Sequence, residues 1–419
     1  MEVKRGYKQT EVGIIPEDWV VLSLGELGSF KNGINKGAED FGHGSPFINL
    51  MDVFGIPKVA ASTANLGLVD STEAEQRLYE LRSGDVLFVR SSVKPEGVGL
   101  TSLILEDLPG TVFSGFLIRF RDYGQLTLQF KEHCFFNDGF RRRLIANSTV
   151  SANTNINQDA LKRLQIGFPL DTTEQRAIAK ALSDMDALLG GLDRLIAKKR
   201  DVKLAAMQQL FTGQTRLPGF HDIWEMQRLG DLGTFLKGSG VRKDEAKSGN
   251  LPCIRYGEIY THHNNYIKSF NSWISPEVAA TATRLRRGDL LFAGSGETKE
   301  EIGKCVAFVD DCEAYAGGDT VILRLSEANP MFMGYYCNIG PINAQKASKG
   351  QGDAVVHISA AALSSILVSL PTVPEQTAIA AVLSDMDTEL AVLETRRDKT
   401  RALKQGMMQK LLTGGVRLV

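Results

Sequence analysis

The sequence predicts an α+β protein of mixed helix and strand. Two globular domains are expected, separated by two long antiparallel coiled-coil helices, the whole built as a pseudo-twofold internal repeat. Three observations predict this. First, the thirteen residues from Glu174 to Asp186 recur from Glu375 to Asp387 with ten identities, at an offset of 201. Second, the same offset carries Leu210-Phe211-Thr212-Gly213-Gln214-Thr215-Arg216-Leu217 onto Leu411-Leu412-Thr413-Gly414-Gly415-Val416-Arg417-Leu418. Third, a weaker echo links Trp19 and residues 24–30 to Trp224 and residues 229–235. It also links Arg82-Ser83-Gly84-Asp85 to Arg286-Arg287-Gly288-Asp289. Between these anchors the halves diverge, so the order is variable, constant, variable, constant: residues 1–170, 171–213, 214–371 and 372–419.

The constant blocks read as helices over 171–212 and 372–413. Asp171 with Glu174, and Thr372 with Glu375, have the spacing by which a cap and a third-position glutamate satisfy orphan N–H groups. Pro374 is tolerated in the first turn, and Gly213 and Gly414 sit where a left-handed stop is expected. Ile178, Leu182, Met185, Leu189, Leu192, Ile196, Lys199, Lys203, Ala206 and Leu210 alternate by four and three. Ile379, Leu383, Met386, Leu390, Leu393, Arg397, Thr400, Lys404, Met407 and Leu411 keep the same register. That is a coiled-coil seam, and forty-two residues make each helix roughly 60 Å long. Each helix finds its obvious partner in the other. With a globular block ahead of each, the antiparallel arrangement puts one block at each end rather than crowding both together. The polar middle of the seam has two readings: aliphatic stems snorkelling outward, or a stretch facing a partner or phosphates. Gly190-Gly191 likewise reads either as a site of close approach or as a tolerated surface pair.

The variable blocks mix short apolar strands (86–89, 113–120, 290–293, 320–325) with turn glycines, and read as α+β domains. Each ends in a polar loop, a short helix, an apolar strand and a proline: residues 146–157 before 161–169, and 346–353 before 358–371. Asparagine and glutamine suit adenine edges, lysine suits guanine, and serine or threonine suits either. The candidate DNA-contacting residues in the first loop are therefore Asn147, Ser148, Thr149, Asn153 and Asn155, preceded by Arg141, Arg142 and Arg143 for phosphates. In the second loop they are Lys346, Lys349 and Gln351. Further candidates follow the shared strand (Arg90, Ser91, Lys94; Ser295, Thr298, Lys299) or lie early in each block (Asn32, Asn35, Lys36; Lys237, Arg242, Lys243).

Composition narrows the class. With 419 residues, 43% hydrophobic and 23% charged, the chain reads as a globular protein of two domains plus connectors. No apolar run spans a membrane, no signal peptide is evident at Met1 to Arg5, and five scattered cysteines read as reduced thiols. A cytoplasmic location is expected. The net charge is −1, and Lys plus Arg against Asp plus Glu is 18 to 20 over residues 1–170 and 16 to 17 over 213–371. Positive charge for a nucleic acid must therefore be gathered on one face. No phosphate loop, no Asn/Asp-Pro-Pro-Tyr/Phe tetrapeptide, no dinucleotide motif and no metal-ligand spacing occurs, so no catalytic site and no metal are expected. Alternatives are a self-contained nuclease or methyltransferase dimerising through the coiled coil, and a scaffold that binds protein only.

The order of blocks, with Pro169 ahead of Glu174-Gln175 and Pro371 ahead of Glu375-Gln376, resembles the specificity subunit of Type I restriction–modification systems. Residues 8–19, ending in Pro16-Glu17-Asp18-Trp19, resemble that family's opening, and Leu-x-Thr-Gly at 210–213 and 411–414 fits its helix exits. The resemblance implies two target-recognition domains, each reading half of a bipartite asymmetric site on double-stranded DNA. It implies helices that act as a ruler and dock two methyltransferase subunits, with restriction and translocase subunits completing the complex. S-adenosylmethionine, ATP and magnesium are then expected only on the partner subunits, and no cofactor on this chain.

Overall fold

A computed structural model describes residues 4–63, 66–150, 153–352 and 354–418. The chain forms two compact units, residues 1–194 with 395–419, and residues 195–394. Each unit holds one globular domain, the start of the long helix that follows it, and the end of the other long helix. The units therefore cut across the constant blocks.

The long helices run Thr172–Phe211 and Val373–Leu411. Gly213 and Gly414 stop them with φ of 69° and 67°, the left-handed conformation that glycine adopts without Cβ strain. Within the first unit, Asp186 pairs with Lys404 and Asp193 with Arg397. As one number rises the other falls, so the two helical stretches are antiparallel. Within the second unit, Lys199 pairs with Glu389 and Lys203 with Asp387, in the same sense. All twenty seam positions are buried or half-buried, Ile178, Leu182, Leu192, Ile196, Leu210, Ile379, Leu383, Leu390, Thr400 and Leu411 being buried. In the polar middle of the seam, half-buried side chains carry their charged heads to carboxylates. Lys199, Lys203 and Lys404 meet carboxylates of the opposite helix, while Arg397 bonds Asp398 of its own helix at 2.9 Å and lies 3.9 Å from Asp193. A Cβ on Gly191 would meet nothing within 4 Å, and one on Gly190 only Arg194. No close approach within the chain requires the glycine pair.

The Glu-Gln motif does something other than capping. Asp171 does cap, accepting from the Thr173 N–H at 2.7 Å, but Glu174 and Glu375 turn inward and are almost wholly buried. Arg417 grips Glu174 and also Asp18, while Arg216 grips Glu375 through two bonds of 2.6 Å. Each guanidinium lies over a tryptophan, Arg417 over Trp19 and Arg216 over Trp224. Gln175 donates to the carbonyls of Pro169 and Gln125 and accepts from the Thr127 N–H. Gln376 donates to Pro371 and accepts from the Asn329 N–H. Thr127 and Asn329 cap the short helices Leu128–Cys134 and Pro330–Tyr336. The repeated dipeptide thus clamps each long helix to its own domain and to the tail that leaves the other helix.

Both domains carry the same five-stranded sheet. In the first the order is Gly28–Asn32, Leu117–Asp122, Val86–Val89, Thr101–Ile104, Lys58–Val59. In the second it is Gly233–Lys237, Thr320–Leu325, Asp289–Ala293, Cys305–Ala307, Asn265–Tyr266. Neighbours are antiparallel except the last pair, which is parallel in both. The apolar run 113–120, expected as one strand, is broken at residues 114–116 into Val112–Phe113 and Leu117–Asp122. The Arg-x-Gly-Asp echo is a tight turn with Gly84 and Gly288 at φ 83° and 95°. Its buried aspartate accepts from a guanidinium on the neighbouring strand, Asp85 from Arg121 and Asp289 from Arg324. Phe88, Phe120, Phe130, Phe135 and Phe140 form the first core with Ile178, Leu182 and Leu411. Phe292, Phe332, Tyr335 and Tyr336 form the second with Ile379, Leu383, Leu210 and Phe211. Among the described residues no helix is long and apolar enough to cross a membrane.

Candidate nucleic-acid interface

In the first domain two loops distant in sequence meet. Strand Ser91–Ser92 pairs with Thr154–Asn155, which pairs in turn with Thr149–Val150. This small sheet brings Ser91, Thr149 and Asn155 together, with exposed Arg90 and Lys94 at its margin. The early loop joins them: Gln158 donates to Asn32 Oδ1 at 2.9 Å. Asn35 lies against Gly115, where a Cβ would collide with Asn35 Oδ1. The Arg90 N–H donates to the carbonyl of Phe116. Exposed apolar side chains border the patch, Val93 (81% exposed), Val150 (76%) and Phe116 (59%). Such groups suit thymine methyls and sugar faces.

The second domain repeats the arrangement. Strand Ser295–Gly296 pairs with Val356–His357, and Gln351 exchanges both backbone bonds with His357. Thr298 and Lys299 are exposed. The early loop connects through Gly238, whose N–H donates to Thr320, and Gly240, which accepts from Gly318. That loop presents Lys237, Arg242 and Lys243 to solvent, and Val241 within it holds a left-handed φ of 59°. A branched side chain in that conformation is strained, a feature that gathers at functional surfaces.

Other candidates sit elsewhere. Lys346 needs correction as a DNA contact: it is 1% exposed and donates to the carbonyls of Gly303 and Cys337. Burial holds its pKa below the usual lysine value. Arg141 and Arg143 are likewise spent inward, on the carbonyls of Val98 and Glu96 and of Gln165, and burial depresses the pKa of both. Arg142 alone of the three stays exposed. Lys36 is paired with Glu75. Asn147 and Ser148 bond carbonyls of the helix they follow, Arg143 and Ile145. Asn153 stays near the sheet as acceptor from Asn155, and Lys349 is half-buried at its helix end. Ser151, Ala152 and Asp353 of the two loops lie outside the described residues.

Sequence reasoning missed His357. It falls beyond the polar loop, yet it is exposed and its Nδ1 lies 2.9 Å from Ser295 Oγ. Aligning Asn155-Ile156-Asn157 with His357-Ile358-Ser359, both just ahead of a short helix, would have found it. This is not a hydrolytic pair. Ser295 is 3% exposed, and it meets Nδ1, leaving Nε2 rather than the hydroxyl on the accessible side.

The duplicated fold is similar to solved structures of type I specificity subunits. That from M. genitalium aligns with TM-score 0.56 and 14% identity, covering 98% of each chain. The one from Thermoanaerobacter tengcongensis gives 0.54 and 17%, covering 96% of this chain and 98% of that one. A chain from a study of type I restriction–modification complex assembly gives 0.61 and 16%, covering 96% and 99%. The model of the Type I restriction modification DNA specificity domain matches residues 16–196 and 222–400, so the chain belongs to that family and carries its domain twice. A Methanocaldococcus jannaschii protein assigned as the MjaX type I restriction enzyme specificity subunit is 26% identical, covering 99% of this chain and 97% of the relative. The MjaVIII specificity subunit of the same organism is 21% identical over 63% of this chain and 64% of its own length.

Proposed function

We propose that this chain is the non-catalytic DNA-reading subunit of a Type I restriction–modification complex. Each domain reads one half of a bipartite, asymmetric site, and the two helices set the spacer and dock two methyltransferase subunits. Restriction and translocase subunits join the full complex. S-adenosylmethionine, ATP and magnesium act on those partners rather than here.

One observation carries this reading. Two domains of the same topology offer, at the same place, a small surface sheet joining two polar loops, and the side chains on it differ. A shared scaffold with unlike polar surfaces is what two unlike half-sites require. The near-zero net charge gives an isolated chain little phosphate attraction, so tight binding is expected only with the partners closed around the duplex. The interhelical ion pairs consume the seam's cations, which leaves the outer helix faces, with exposed Leu188, Val202, Leu204, Val392 and Leu403, for protein contact.

The test is protection of DNA by the chain assembled with its methyltransferase subunits. A bipartite protected site with a fixed gap, and adenine methylation only in the assembled complex, is expected. Turnover by the chain alone with magnesium and S-adenosylmethionine would mean an enzyme. Assembly without any sequence-selective protection would mean a scaffold.

A further inference from the structure

We infer that Asn155 and His357 occupy one specificity-determining position, present once in each domain and filled by a different base-reading side chain. The inference deepens the DNA-reading function proposed above and rests on it.

The two residues are equivalent by every local measure of the fold. Asn155 stands opposite Ser91 and Thr154 opposite Ser92. His357 stands opposite Ser295 and Val356 opposite Gly296. The Ile156 N–H donates to the Arg90 carbonyl at 2.9 Å, and the Ile358 N–H to that of Gly294 at 3.0 Å. Two residues further on, Asn157 caps the helix Gln158–Arg163 and Ser359 caps Ala360–Ser364.

Strand alternation then singles out the middle residue. Thr154 and Ile156 are buried in the first domain, as are Val356 and Ile358 in the second. Residues on either side are held by core packing, and only the one between them turns toward the surface. Packing does not dictate its identity, which is asparagine in one domain and histidine in the other, whereas its flanking positions, Thr154 and Ile156 or Val356 and Ile358, stay buried in both.

The chemistry of each side chain points to a base edge. Asn155 uses one amide hydrogen on the Asn153 carbonyl at 2.9 Å. Its second N–H and its Oδ1 form the donor–acceptor pair that meets N7 and N6 of adenine. His357 is oriented by Ser295 at Nδ1, so Nε2 is its outward atom. In the tautomer in which the serine hydroxyl donates to Nδ1, Nε2 carries the ring proton and offers a single donor to a purine N7 or guanine O6. The Asn155 half-site therefore contains an adenine at the contacted base pair, and the His357 half-site a purine held by one bond.

The experiment uses the full chain assembled with its methyltransferase subunits. Competition binding is measured against duplexes in which each base pair of both half-sites is replaced in turn, for the unaltered chain, Asn155→Ala and His357→Ala. Asn155→Ala should reduce discrimination at one base pair of one half-site by roughly 5- to 100-fold, the range of a bidentate contact. His357→Ala should do so, by a smaller factor, at one base pair of the other half-site. Every other position should discriminate as before. Unchanged discrimination throughout, or affinity falling by one factor for all duplexes up to complete loss, would show a scaffolding role and overturn the inference. An unaltered complex that prefers no bipartite sequence would instead overturn the DNA-reading function on which it rests.

Discussion

Arg417 and Arg216 hold the most consequential single contacts. Each neutralises a glutamate that is 1% exposed, and removing the cation leaves that carboxylate buried with no counter-charge. Breaking such a pair costs about 3 kcal/mol. Arg417→Ala is therefore expected to lower stability by about that amount in denaturant unfolding of the first unit, and Arg216→Ala to lower the stability of the second. Arg417→Lys should recover only part, because an ammonium cannot make both bonds. Two buried histidines set the pH response. Burial keeps the pKa of His133 and of His263 below the usual 6.5, so both rings are neutral when folded while the unfolded chain takes up protons first. Their contribution is whole above pH 6.5 and is lost as pH falls below it. The unfolding midpoint should drop over that window, and His133→Gln with His263→Gln should flatten the slope; a midpoint independent of pH in the unaltered protein would contradict this.

At the scale of elements, the helices owe their stability to the apolar seam more than to its charges. Leu383 is fully buried, so Leu383→Ala should cost about 3 kcal/mol in thermal or denaturant unfolding. Asp186→Ala, which breaks a pair half open to solvent, should cost under about 1 kcal/mol. The seam was readable because a heptad register leaves every apolar contact visible along the chain. The Glu-Gln motif was visible but its task was not, since a capping glutamate and one held by a distant arginine have identical spacing; only the fold brings Arg417 back to Glu174. The strand break at residues 114–116 escaped for a similar reason. Its stop is set by Ile34 and Arg90, whose N–H groups bond the carbonyls of Phe113 and Phe116, a tertiary pairing for which the Ser114-Gly115 dipeptide is the local sign. The candidate surface was legible as two polar loops per domain, while Lys346, Arg141 and Arg143 were not separable from true surface cations. A long side chain bonded to internal carbonyls looks the same in sequence as one reaching outward, and His357 was hidden because a two-residue strand carries no period.

For the whole molecule, the clamp, the seam and the sheet order each occur twice while the polar surface loops differ, so under the proposed function one asymmetric chain would offer two alike places to identical partners. Insertion of one heptad into both helices should change the length of the DNA spacer and leave both half-sequences intact, as mapped by methylated adenines; an altered half-sequence would count against the helices as a ruler. The central claim is that each domain reads its own half-site independently. The most direct test replaces residues 1–170 with the corresponding domain of a specificity subunit of different target, in cells carrying the methyltransferase subunits, followed by genome-wide sequencing of methylated adenines. The account predicts that one half of the bipartite site changes to the donor's sequence while the other half and the spacer stay as they were. A change in both halves, or in neither, would contradict it.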